Sequence, residues 1–548
     1  MRKIAIFIII ALLLFSVSGC GLEPDSTDIG EIQEGVDYFI FENAGISLPL
    51  TSFKTLNPLY MDNLSYYHFS KLIFEGLFEY DENLQPVPRL ASTYTISEDG
   101  RTVEVYLRND ILWHNGESLD SDDVVFTVQT MKKAGEESLY GKLVRSGASP
   151  GNLNIMSARA LSENRVEISF SEPTGNILDM LTFPIISKGL GSGALAVENY
   201  IPIGTGPYMF VEHVKFKEVH LESNPQYREG EPQISYITGK IYDDRGLVLT
   251  AFETGKLDMA PSIGIDWDKY EHNERISIHE YVSGDQELLA FNSLDERFAS
   301  DGSEQLKQAI LYAIDRQSII DKVYLQHGTQ VDTPVHPASY LSSSETDMYG
   351  YNIGSAEGIL NGGGYIDTDG DGIREDSEGN PLNIEMLVNP YSDLKLKTSE
   401  MIKSNLKEVG ISVEIVYPPG KTSQEAMENM GNMLTEGDYQ TAILQWEQST
   451  IPSFESFLGS SRPENLARFS DEKMDQLLSE MRVAWDENTK IDIYKDFQEY
   501  YVEKVPYGSL LFRNKALLVD SGISGPLQPT YYNLYNGLES CYLTMSTN

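Results

Sequence analysis

The stretch from Leu382 to Tyr417 limits the architectures open to this chain more than any other. "LNIEMLV" reads as a strand, "SDLKLKTSEMIKSNLKEVG" brings Leu396, Ile402 and Leu406 to one side of a helix, and "ISVEIVY" is a second strand. Gly410 stands where the helix must end. Strand, helix, strand is a βαβ unit, so this half of the molecule is a sheet layered with helices. The alternation continues with a helix from Ser423 to about Leu434 and the strand "TAILQW". Helical patterns over 471–485 and 489–504 then precede two strands, "GSLLF" and "ALLVD". The first half reads differently. "YTISEDGRTVEVYLRND" is a hairpin turning at Asp99-Gly100, with Val103, Val105 and Leu107 facing inward. A second turn falls at Asn115-Gly116, and a helix capped by Ser121 or Asp122 runs to about Gly135. With 548 residues the chain exceeds what one hydrophobic core supports, so two or more domains are expected.

The N-terminus carries a second constraint. After Arg2 and Lys3 comes an apolar run, Ile4 to Phe15, too short for a bilayer crossing of roughly 20 residues but right for a secretory signal. Val17-Ser18-Gly19-Cys20 resembles the lipobox of bacterial lipoproteins, which implies removal of residues 1–19 and lipidation of Cys20. Residues 20–35 then form an acidic tether, spanning on the order of 20 Å as a flexible coil. With Cys20 given to lipid, Cys541 has no partner, and no internal disulfide is expected.

The formal net charge of −42 repels nucleic acid and anionic lipid, which excludes a nucleic-acid role. Catalytic motifs are missing: there is no Gly-x-Ser-x-Gly elbow, and His279-Glu280 lacks the second histidine of a zinc protease. Nothing argues for an enzyme, and no cofactor is expected. One motif does invite a metal. In "DTDGDGIREDSE", Asp367, Asp369 and Asp371 alternate, Gly372 sits at the sharp turn, and Glu378 falls at position twelve, as in an EF-hand calcium loop. Against structural calcium stand a hydrophobic residue at position seven instead of eight and no entering helix. The competing reading is a polar turn.

Several stretches together resemble one family. "FEGLFEYDENLQPVPRLASTYTISEDGRTVEVYLRNDILWHNGESLDSDDVVFT" is similar to the signature region of the family 5 extracellular solute-binding proteins, the oligopeptide-, dipeptide- and nickel-binding receptors of bacterial ABC importers. "IGTGPYMF", "FETGKLDMA", "LKQAILYAIDRQSII", "GGYIDTDGDGIRE", "VGISVEI" and "KVPYGSLLF" follow in that family's order. The resemblance covers roughly residues 36–545. It implies an α/β, two-lobed periplasmic-binding-protein-like (Venus flytrap) fold, with an extra subdomain inserted in the first lobe. Carried over by motif order, lobe I is 36–69, 196–284 and 505–548, the inserted subdomain 70–195, and lobe II 285–504. The implied protein is a monomer, held by lipid on the outer side of the cytoplasmic membrane, that delivers its ligand to ABC permease subunits. A peptide sensor of the same fold, or a receptor for chelated nickel, is the alternative.

The resemblance also places a ligand site. Tyr67, His68 and Phe69 precede Phe74-Glu75-Gly76-Leu77, where the family makes ligand contacts. Phe126 in Asp123-Val124-Val125-Phe126 matches a pocket aromatic, Trp446 in "AILQW" matches a second-lobe tryptophan, and Tyr507 lies near a further contact. Peptide-binding members carry an aspartate three residues after that tryptophan; here Ser449 stands there, without the charge that pairs an ammonium. Glu447 adjoins Trp446, but neighbouring strand residues point to opposite faces. Peptide capture remains the favoured reading.

Overall fold

Periodic burial of strand residues produces three large sheets in the computed structural model. It describes residues 45–544 apart from 62, 139, 141–154, 263, 266, 300–302, 450 and 452. The stretches expected to be a signal segment and an acidic tether, with Cys20, lie outside the described residues. The first sheet runs Gly45–Thr51, Tyr236–Tyr242, Glu218–Ser223, Tyr208–Val214. Ile46, Leu48, Leu50, Val219, Leu221 and Ile237 pack there with Tyr66 and Phe69 of the helix Leu64–Ser70. That helix starts where the Asn63 side chain accepts from the Tyr66 N–H.

The expected hairpin forms one half of a second sheet, ordered Ala91–Ile96, Thr102–Leu107, Arg165–Phe170, Ile155–Ser162. Val103, Val105 and Leu107 are buried as the alternation requires. The helix Ser121–Ala134 covers this sheet, and its cap is Asp120, one residue earlier than expected. Asp120 and Asp123 form a reciprocal capping box, and Asp123 also accepts from the Trp113 indole at 3.2 Å. The second carboxylate is what favours this register over a cap at Ser121 or Asp122.

The βαβ unit appears as read. Asn383–Leu387 and Ser412–Val416 pair in parallel, Asp393–Glu408 crosses between them, and Gly410 takes φ +80° just past the helix end. They belong to a seven-stranded sheet in which two long strands, Ile276–Phe291 and Tyr507–Asp520, lie side by side. These strands join the lobes. Ile276–Val282 pairs with 514–520, the register shifts between Val282 and Gln286, and Gln286–Ala290 pairs with 507–512. Leu510 and Leu511 pack into the second-lobe core with Leu288 and Leu289, whereas Leu517 and Val519 pack into the first. "GSLLF" and "ALLVD" are therefore one strand instead of two. The second crossing lies near Arg513, not at 504–505, because Tyr507 and its neighbours are core residues of the second lobe.

Candidate functional site

Between the bodies built on these cores lies a cleft. Tyr80, Asp179, Tyr531 and Tyr532 face it from one side, and His336, Tyr340, Phe454, Lys490 and Tyr494 from the other. The two sides are closed on each other, leaving about 20 Å³. Asp179 and Lys490 meet across it at 3.6 Å with side chains only 4 % and 6 % exposed. The Tyr80 hydroxyl also donates to Asp179 at 3.0 Å. Burial works against the Lys490 ammonium, but Asp179, Tyr494 and Tyr340 together outweigh it and hold the lysine above its ordinary pKa. Burial pushes Tyr494 up to about 12, so the ring enters the cleft as a neutral phenol. Beside the cleft, Arg482 bonds Glu172 at 2.6 Å, its carbonyl accepts from the Gly175 N–H, and the Tyr340 N–H donates to the Asn83 carbonyl. Opening must break these contacts. The buried ion pair returns little net energy, because both ions are rehydrated on separation.

Tyr80 and Tyr532 also line a second cavity of about 160 Å³, walled by Tyr67, Lys71, Glu79, Tyr140 and Glu539 among others. Behind it lies a buried ion cluster in which Glu75 accepts from Arg89, Arg228 and the Thr205 hydroxyl, each between 2.8 and 2.9 Å. The cluster ties the Phe-Glu-Gly-Leu motif to Gly204-Thr205-Gly206.

Of the expected ligand residues, Tyr67 lines this cavity, with the Lys71 ammonium 4.8 Å from its ring centroid. His68 is buried, its Nδ1 accepting from the Leu534 N–H, and its pKa falls to about 3, first through burial and then through Lys71. Phe69 is fully buried beneath the first sheet, against Gly239, so it is a core residue and not a ligand contact. Tyr507 is likewise core: its hydroxyl accepts from the Ala467 N–H and donates to the Phe457 carbonyl. Phe126 packs half-buried against the core of the inserted body and lines neither cavity. Trp446 stands one ring back from the cleft. Its centroid is 4.2 Å from Phe457 and 5.9 Å from the cleft residue Phe454. Glu447 and Ser449 are exposed and line neither cavity. Sequence reasoning missed Asp179, Lys490 and the tyrosines of the cleft; only "TYYNLYN" near the C-terminus hinted at an aromatic wall.

The acidic loop departs from the expected ligand set. Asp367, Asp369, Asp371 and Glu375 bring one carboxylate oxygen each within 4.8 Å of one another. Glu378 is outside the cluster. Backbone bridges from Glu375 to Ile366 and Pro381 fold Glu375 inward, while the Glu378 N–H donates to Asp376 in a separate turn. The cluster oxygens already serve the loop: Asp367 accepts from the Gly370 and Gly372 N–H groups, and Glu375 from Thr368. A bound calcium predicts that chelation lowers Tm by about 3 °C. A turn held by its own hydrogen bonds predicts superimposable melting curves and no calcium by elemental analysis.

Comparison with known proteins places these features among relatives. Residues 85–465 match the model described as bacterial extracellular solute-binding proteins, family 5 Middle. The oligopeptide-binding protein AppA of Bacillus subtilis is 23% identical over 553 residues, covering 98% of this chain and 97% of AppA. Among solved structures, NikZ from Campylobacter jejuni in complex with Ni(L-His) is 24% identical, covers 91% of this chain and 98% of its own, and gives a TM-score of 0.62. The ABC transporter substrate binding protein CtaP from Listeria monocytogenes gives 0.73 at 23% identity, over 92% and 100%. These structures share the two-lobed fold.

Proposed function

This chain belongs to the bacterial extracellular solute-binding proteins of family 5, and on that premise we propose that it captures peptides, or small solutes like them, in its cleft for an ABC importer. The observation that carries this reading is the cleft itself. It is walled by tyrosines and Phe454 from opposite bodies and spanned by the Asp179–Lys490 pair. Flat aromatic walls accept varied side chains, while a few fixed charges orient the ligand. Ligand binding shifts an equilibrium between open and closed lobes. The named peptide binder AppA, similar along nearly its whole length, supports peptides as the solute.

The protein acts by binding and release, without catalysis. Cys20 carries the lipid anchor, the acidic segment to residue 35 spaces the body from the membrane, and the receptor works as a monomer outside the cytoplasmic membrane. Among the described residues no helix is long and apolar enough to cross a membrane, in keeping with attachment at the N-terminus. Of the described residues, lobe I comprises those of 45–69 and 196–284 with the chain after about 513, the inserted subdomain those of 70–195, and lobe II those from 285 to about 513. The test is native mass spectrometry of the full chain offered a peptide pool, for a one-to-one solute adduct.

A further inference from the structure

The 160 Å³ cavity beside the cleft has a charge balance that the closed cleft does not explain. Two guanidiniums serve three carboxylates on its inner wall, where Glu75, Glu79 and Arg89 stand, and just behind it, where Arg228 and Glu229 do. Arg89 divides itself among Glu75, Glu79 and Glu229, at 2.8, 3.1 and 2.9 Å, and Arg228 bonds Glu75 and Glu229 at 2.8 and 3.2 Å. Glu539 adds a fourth carboxylate and forms no ion pair among the described residues. Lys71, the remaining cation on the wall, forms none either and rests over the Tyr67 ring. The four carboxylates thus exceed the three cations by one. Burial raises the pKa of Glu539, and Glu229 and Glu75 add to that while Arg89 opposes it, so an incoming positive charge would favour its ionised form. Nearby, the Tyr208 hydroxyl is buried and has no hydrogen-bond partner among the described residues, although the Glu539 charge reaches it.

We propose that this cavity is a subsite for the positively charged group of the captured solute, an ammonium or guanidinium, held by Glu539 and Glu79. The proposal rests on solute capture in the adjoining cleft. Tyr80 and Tyr532 line both spaces, and their rings pack edge to face at 4.9 Å, so the cavity adjoins the cleft through this pair. Its size suits one charged group with a few carbons, about five water volumes. Five tyrosine rings, Tyr67, Tyr80, Tyr140, Tyr532 and Tyr535, complete it, and aromatic rings tolerate a cation where they would repel an anion. A carboxylate would meet the excess negative charge and is disfavoured. The subsite lies wholly on the first lobe's side, so the cation is bound before the second lobe closes.

The experiment offers the full chain an equimolar pool of tri- to pentapeptides free of Lys, Arg and His, half with free N-termini and half N-acetylated. Captured peptides are then counted by mass spectrometry. The wild type should enrich free-amine peptides by about tenfold, the scale of one charge-assisted hydrogen bond. Glu539→Gln and Glu79→Gln should each reduce that ratio severalfold, and Lys71→Met, which removes a repelling cation, should raise it. Melting curves select the folded variants for comparison. Equal capture of both halves by the wild type, or a ratio unmoved in every folded variant, overturns the subsite while leaving solute capture standing. Capture of neither half overturns peptide capture and the subsite with it.

Discussion

Acidification from pH 7 to pH 4 is expected to destabilise the fold by about 3 kcal/mol at each of two buried histidines. The His68 pKa falls to about 3 and the His114 pKa to about 4, in both cases chiefly through burial. Their hydrogen bonds explain why protonation is resisted. Nδ1 of His68 accepts from the Leu534 N–H, and Nδ1 of His114 from the Gly204 N–H, so a proton on either nitrogen would face another N–H. Both folded values lie below the unfolded value of 6.5. The stabilisation is therefore complete above pH 6.5. Below it the unfolded chain takes up protons that the folded chain refuses, and stability falls until the folded values are reached. Buried carboxylates with raised values, such as Asp123 and Asp258, run the other way. The difference between wild type and His68→Gln or His114→Gln isolates the histidines. Urea unfolding at several pH values should show the gap between each variant and wild type shifting by about 3 kcal/mol over this range. Parallel profiles would mean that these rings are protonated without cost.

Gly204→Ala is expected to cost about 3 kcal/mol or more. A Cβ there would sit 1.8 Å from the Ile73 carbonyl oxygen and 2.6 Å from its carbon, and backbone cannot yield as a side-chain tip can. The same glycine donates to His114 and accepts from its N–H, while Gly206 donates to the Ile73 carbonyl. A shift of this segment would thus also disturb the Thr205 bond to Glu75. The cavity wall at Glu75 and Glu79 should suffer with the fold. A urea midpoint within error of wild type would show that the two segments are less closely apposed than described.

What could be read from the sequence followed from local periodicity. The hairpin at Asp99-Gly100 and the βαβ unit around Ile402 and Leu406 depend on contacts within one short stretch, and both formed as expected. Failures came where distant segments decide. Arg513-Asn514-Lys515 looked like a break between two strands, yet the strand runs through it because this polar stretch crosses between lobes, where Lys515 bonds Asp285 at 2.7 Å. An aromatic residue type does not distinguish core from cleft, so Phe69 and Tyr507 were expected at a surface that they only support. Asp179 and Lys490 stand 311 positions apart, and nothing local marks either as the other's partner. Glu375 displaced Glu378 in the acidic loop because a strand bridge, not loop spacing, sets its direction.

The full chain is expected to hold one small solute between its lobes. Native mass spectrometry of the purified protein, before and after exposure to the peptide pool, tests it most directly. The expected spectrum has a peak heavier than the chain by the mass of a single peptide, lost on gentle activation and reduced when Asp179→Asn and Lys490→Met together remove the pair that spans the cleft. A spectrum showing only the mass of the chain after exposure to the pool, at protein and peptide concentrations well above micromolar, would contradict it.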